Sequence, residues 1–356
     1  MRFFWARVQL LRLLTGDLML RKAPDIFGEA PDGSPVFRVE LRGGGACARL
    51  ITWGASLQSF RLNGIAHDLV LGCEDLSAYF GPMLYFGATV GRVANRIARG
   101  KTPLLNRPLE LECNEPGRGM LHGGSQGAAQ VNWQLVAHDD SAAQFSVVLP
   151  DGQGGFPGNC RLTALFGLDD QGRLSILYEA EIDAPSFCNL AHHSYWNLAG
   201  GPDLRGHRLS IAADHYLPVT DAQIPLGPPA PVAGTEFDYR QPSRIGLEAR
   251  GPVDHNFCLH DTGELRTACV LEGGELRLSL STTAPGLQVY DGAALSTAPF
   301  TGHNGIPYEA HAGVALEPQH WPDAPNHPGY PSILLRPGEV YRQFSRFQVT
   351  RHGAAA

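Results

Sequence analysis

Apolar and polar residues alternate along this chain with a period of two. In VFRVEL (36–41) Phe37, Val39 and Leu41 fall on one face, and in AQFSVVL (143–149) Phe145, Val147 and Leu149 do the same. LSILYEAEI (174–182) aligns Leu174, Ile176, Tyr178, Ala180 and Ile182, and LRLSLS (276–281) aligns Leu276, Leu278 and Leu280. Successive side chains of a strand point to opposite faces, so the pattern predicts strands with one buried face each. The first good strand is expected near Val36. Turn clusters such as PDGS, DGQGG, DDQG and EGGE separate the runs, and 42 Gly with 27 Pro suffice to punctuate many short strands. Helical periodicity is confined to one short turn at EDLSAYF (74–80). The chain is therefore expected to be all-β. No compositional shift marks a linker, so residues 21–353 are expected to form a single large β-sandwich domain.

Composition narrows the partners. Of 356 residues, 43% are hydrophobic and 18% charged, which supplies a sizeable core and argues against global disorder. A net charge of −7, a pI near 6.0 and no long basic run argue against nucleic acid or an anionic membrane surface as the main partner. The seven cysteines (Cys47, Cys73, Cys113, Cys160, Cys188, Cys258, Cys269) are dispersed without a C-x-x-C pair. They read as buried free thiols in a reducing, cytoplasmic compartment, and their spacing excludes a zinc ribbon. The opening stretch MRFFWARVQLLRLLTGDLML (1–20) is apolar but broken by Arg2, Arg7 and Arg12. It suits neither an export signal nor a membrane span. Two readings stay open: an amphipathic surface helix, or a start assigned too early, with Met19 as the true first residue.

Polar residues ill-suited to plain strands gather in six places. GRVANRIARGK (91–101) carries Asn95 and Arg96, MLHGG carries His122, and AHHSYWNLAG carries the adjacent His192 and His193. VDHNF carries Asp254 and His255, PGLQVYDG carries Gln288, and HAGVALEPQHWPDAPNHPGYPS carries Glu317. Taken singly, most have ordinary readings: a histidine before Gly-Gly is more often a turn residue than a catalyst, and Asp254 reads equally well as a turn cap. Glu317 is sharper, because GVALEPQ is an apolar strand with one carboxylate in it. It is either an edge-strand charge or a group aimed into a cleft. Together the set offers aromatic faces and hydroxyl-binding donors and acceptors suited to a neutral polyol. No phosphate-binding glycine loop or dinucleotide fingerprint is present.

In order along the chain, these motifs resemble those of the aldose 1-epimerases, the galactose mutarotases. The matching stretches are ANRI (94–97), LHGG (121–124), HSYWNL (193–198), DHNF (254–257), PGLQVY (285–290), the glutamate strand with PDAPN (317–326) and LRPGEVY (335–341). They cover roughly residues 36–349. The resemblance implies a large antiparallel β-sandwich, of the galactose mutarotase-like type, with a monosaccharide in a shallow cleft. It assigns Glu317 as base and His193 as acid, with His122 supporting the ring-oxygen side. Asn95, Arg96, Asp254 and Gln288 would bind hydroxyls. Two departures stand near the expected sugar: His192 replaces the family's usual Asn, and YDGAALS replaces Y-T-G-N-F. His192 is expected to pack against or support His193.

The chemistry agrees with that inventory. Mutarotation opens a hemiacetal and recloses it on the other face of the aldehyde. A proton leaves the C1 hydroxyl and another reaches the ring oxygen, so a carboxylate and an imidazole on opposite sides suffice. No metal or other cofactor is required. A glycosidase would need a second carboxylate beside the scissile bond, for which only Asp254 is available. A non-catalytic sugar-binding module would be expected to lack the acid or the base. A hexose 6-phosphate epimerase would need a cationic pocket, for which Arg92, Arg96 and Arg99 are the candidates. Tight metal-ligand spacings such as H-x-H or H-E-x-x-H do not occur. The protein is expected to act as a monomer or homodimer.

Overall fold

The computed structural model describes residues 23–248, 251–260 and 263–352. The arginine-interrupted stretch at 1–20, with its two readings, lies outside them. Among the described residues the only helical elements are short 3-10 turns. The expected turn is one of these, Leu76–Phe80, opened by the Asp75 carboxylate accepting the Ser77 N–H. No helix among the described residues is long and apolar enough to cross a membrane.

The alternating segments become strands in the expected places: Pro35–Gly43, Ala142–Leu149, Leu174–Ile182 and Leu276–Thr282. Three of them enter a nine-stranded antiparallel sheet. Its order is Gln134–His138, Ala142–Leu149, Cys160–Leu168, Leu174–Ile182, Tyr341–Arg351, Leu276–Thr282, Arg266–Gly273, Arg208–Ile211 and Ser243–Arg244. A six-stranded sheet runs Tyr195–Trp196, Val314–Gln319, Gly286–Tyr290, Asp254–Cys258, His215–Tyr216 and Ala230–Pro231. One apolar cluster joins them. It takes Ile176, Tyr178, Leu278, Leu280, Phe347 and Val349 from the larger sheet and Phe257, Leu287, Val289, Val314 and Leu316 from the smaller. Trp196 stacks on Phe347 across that interface, with ring centroids 5.4 Å apart.

A further strand, Asp25–Glu29, precedes the one expected to come first and pairs with Pro35–Gly43 at the edge of a four-stranded sheet. Its five residues carry no period-two burial: Ile26 is 73% exposed, and the register slips between Ile26 and Gly28. Strand pairing and the apolar contact of Phe27, edge-on to Tyr79, make this element, so the hydrophobic pattern is silent about it.

Candidate active site

The pleat of the six-stranded sheet builds the site. Val314 and Leu316 point into the core, so Ala315 and Glu317 point to the other face. By the same alternation Leu287 and Val289 face the core while Gln288 faces away, and Phe257 faces the core while Asp254 and Asn256 face away. The register sets Asn256 opposite Gln288 and Gln288 opposite Glu317. Gln288 Nε2 donates to Asp254 Oδ1 at 2.6 Å. Three candidates from separate stretches thus share one face.

The histidines arrive from the loops above that face. Ala191–His192 forms a two-residue strand against Thr89–Val90, extended by His193 N–H donating to Ala88 O at 2.9 Å. Alternation then separates the two rings. His192 enters the core, edge-on to Phe166 and Phe347, with Nε2 2.8 Å from Ser194 Oγ. His193 turns to the site, and its Nε2 lies 3.6 Å from Glu317 Oε1. Tyr85 stacks on the His193 ring at 5.8 Å, and His122 meets it edge-on at 5.3 Å.

His122 and Asn95 fix one another. Both sit in the left-handed region, at φ 51° and 59°. His122 N–H donates to Asn95 O at 3.0 Å, and Asn95 N–H donates to His122 Nδ1 at 3.1 Å. A neutral imidazole that accepts at Nδ1 carries its proton on Nε2, which makes His122 a donor toward the site. The glycines of LHGG are required here: a Cβ on Gly123 would meet Gly91 O at 2.1 Å. Arg96 is held by Glu115 through a two-pronged contact, Nε at 2.6 Å and Nη2 at 2.8 Å.

Burial sets the electrostatics. Glu317 is 2% exposed, and burial with the nearby Asp254 charge raises its carboxyl well above the ordinary range, against the pull of Arg96. Burial lowers His193 to about 4. Burial, then the neighbouring His193 and Arg96, lowers His122 well below its usual value. Asp254 is raised by burial, with Arg96 and Gln288 opposing. Burial works against the Glu115 carboxylate too, yet Arg96 and Arg118 hold it below the ordinary value. When the pair holds a single proton, that proton therefore sits on Glu317 rather than on His193.

Glu317, His193, His122, Asn95, Arg96, Asp254 and Gln288 are thus brought together. Two of the arginines weighed for a phosphate are not. Arg92 is buried and spends its guanidinium on the carbonyls of Leu149, Pro157 and Gly158, over the Phe156 ring. Arg99 is exposed. The sequence reading missed Tyr85, which looks like any core aromatic in GPMLYFG, and Glu115, the anchor of Arg96. It also missed Asn256 and Gln319, buried amides on the Glu317 face whose polar atoms have no partner within the chain. The ligand atoms of His122, His193 and Glu317 lie within 4.8 Å of one another, close enough to suggest a cation. The donor set does not fit one, because His122 Nδ1 is occupied by the Asn95 N–H and its other nitrogen carries the proton.

The sequence matches the aldose 1-epimerase family over residues 38–348. It is 40% identical to the galactose mutarotase of Rattus norvegicus over 339 residues, 91% of this chain and 97% of that protein. It is 38% identical to the aldose 1-epimerase of Escherichia coli over 349 residues, 93% of this chain and 99% of that one. Among solved structures, an aldose epimerase homologue from C. elegans superposes with a TM-score of 0.82 at 28% identity, covering 88% of this chain and 98% of the other. The galactose 1-epimerase of Lactobacillus acidophilus superposes with a TM-score of 0.79 at 28% identity, covering 94% and 99%.

Proposed function

The chain belongs to the aldose 1-epimerase family, and from that premise we propose that Glu317 and His193 exchange protons with the sugar as it opens and recloses. The protein is a carbohydrate isomerase that interconverts the α and β anomers of a free hexose such as galactose or glucose. Glu317 takes the C1 hydroxyl proton while His193 delivers one to the ring oxygen. The C1–O5 bond breaks, the aldehyde rotates, and reclosure on its other face returns both protons. Each positioned transfer contributes about 10²–10⁴-fold. His122, as an Nε2–H donor, supports the ring-oxygen side. Asn95, Asp254, Gln288 and the Arg96 Nη1 outside the Glu115 fork bind the remaining hydroxyls.

The observation that carries this reading is the 3.6 Å approach of His193 Nε2 to Glu317 Oε1. It gathers an acid and a base on one buried face beside hydroxyl-binding groups. A free hexose is favoured over a 6-phosphate because Arg92 is committed to backbone carbonyls and the Arg96 charge is offset by the Glu115 carboxylate. The seven cysteines are unpaired thiols, which supports a reducing compartment such as the cytoplasm. Polarimetry on freshly dissolved α-galactose, α-glucose and glucose 6-phosphate tests the reading. The free sugars should reach equilibrium faster with the protein and the phosphate should not. Acceleration of the phosphate alone would overturn it.

A further inference from the structure

The motif LRPGEVY (335–341) and the residue Asn189 take no part in the chemistry above, yet both tie the acid to the base. The glutamate strand Val314–Gln319 is paired along one edge by Gly286–Tyr290. On its other edge Tyr195–Trp196 reaches only Val314 and Ala315. Past that point side chains take the place of a strand. Asn189, 1% exposed, accepts the His320 N–H on Oδ1 at 2.9 Å and donates from Nδ2 to His320 O at 3.3 Å. Its own backbone joins the sugar-binding segment, with Asn189 N–H donating to Arg92 O at 2.9 Å and Ala94 N–H donating to Asn189 O at 2.7 Å. A second link runs beside it. Leu190 N–H donates to Tyr341 Oη at 3.1 Å, the Tyr341 hydroxyl donates to Gln343 Oε1 at 2.9 Å, and Gln343 Nε2 donates to Pro318 O at 2.8 Å.

We infer that Asn189 and Tyr341 are positioning residues, two parallel braces that set the distance between His193 and Glu317. This rests on the reading of those two as acid and base. One end of each brace lies three or four residues before His193, and the other lies within three residues after Glu317. A displacement of about 1 Å in such a pair is enough to cost up to about 10²-fold in rate. Because the braces are parallel, each compensates in part for loss of the other.

The test measures kcat and KM by NMR anomer exchange for Asn189→Ala, Tyr341→Phe, both together, and each in a Glu317→Gln background. Each single change should lower kcat about tenfold with KM nearly unchanged, the signature of lost transition-state geometry. The double change should cost more than the product of the singles, and neither should slow Glu317→Gln further. Full kcat in both single variants would overturn the inference. So would a loss confined to KM, or an equal loss in the Glu317→Gln background, which would mark general destabilisation. If Asn189→Ala does not fold, Tyr341→Phe, which removes one hydroxyl, decides alone. Glu317→Gln at the parent rate would instead sink the acid and base reading itself.

Discussion

The two faces of the six-stranded sheet are made from the same strands and do opposite things. On the inner face Val314, Leu316, Leu287, Val289 and Phe257 are buried in the main core and need nothing but neighbours. On the outer face Glu317, Gln288, Asn256 and Gln319 are as thoroughly buried but polar, and Glu317 Oε2 and both amides of Asn256 and Gln319 lack partners in the chain. A buried polar atom without a partner costs about 1–3 kcal/mol. The apolar face thus supplies the rigidity that lets the polar face stay poised. His192 and His193 repeat the contrast within two residues, one ring in the core and the other against Glu317.

Exchanging the base is the hardest blow to the outer face. Glu317→Gln keeps size and much of the hydrogen bonding but cannot accept the C1 proton, so ring opening should slow by at least ~10²-fold. Sugar affinity by calorimetric titration should change little, because the hydroxyl-binding side chains remain. His193→Asn should behave alike, and the double variant should lose far less than the product, since the two act as a unit. Anomer interconversion at the parent rate in Glu317→Gln would remove the base from the mechanism.

One residue away, Leu316→Ala strikes the inner face instead. Truncating a fully buried leucine should cost about 2–5 kcal/mol of stability, read by denaturant unfolding. At temperatures where the variant stays folded, kcat should stay within about threefold of the parent, since lost burial alone removes no proton-transfer group. A large kcat loss in folded Leu316→Ala would show that the two faces are not separable.

That division explains what the sequence discloses. GVALEPQ is legible because apolar residues flank a single carboxylate in a run whose parity already sends Glu317 away from Leu316. VDHNF and PGLQVY show only polar residues among apolar ones, with Asp254 equally readable as a turn cap and Asn256 unnoticed, and it is the resemblance that ties Asp254 and Gln288 with Glu317 to one sugar. The partner of Arg96 is not legible. Glu115 lies 19 residues on, in a turn-rich stretch with no period to aim its side chain. Tyr85 is hidden by chemistry rather than distance, since a tyrosine serving as a platform for His193 has the same composition signal as one in the core. The split between His192 and His193 depends on the parity of a two-residue strand, too short for periodicity to register, and is expected only from the resemblance.

His192→Asn tests that split at smaller scale. The substitution breaks the contact to Ser194 and the edge-on packing on Phe166 and Phe347, so about 1–3 kcal/mol of stability should be lost. The rate in the folded state should change by less than about threefold, against ~10² or more at His193. A loss at His192 matching that at His193 would place both rings in the chemistry.

The subtlest expected effect lies in the pH profile. The sequence alone suggests an acid limb from the carboxylate and an alkaline limb from the imidazole, with reversed protonation left open for a coupled pair. The environment reverses them: burial lowers His193 to about 4, while burial and Asp254 raise Glu317 well above its ordinary value. Between those two values the pair holds one proton in total, and the active form, Glu317 ionised with His193 protonated, is a constant minority of that state. The rate should therefore fall on the acid side near the low imidazole value, as the pair takes a second proton. It should fall on the alkaline side at the raised carboxylate value, as the last proton leaves. Asp254→Asn separates the limbs, because Asn still offers an oxygen to Gln288 but no longer carries the charge that raises Glu317. The alkaline limb of kcat/KM should move to lower pH while the acid limb stays in place, since Asp254 is not among the causes of the His193 shift. A shift of the acid limb alone would assign the limbs the other way and return the carboxylate to an ordinary range.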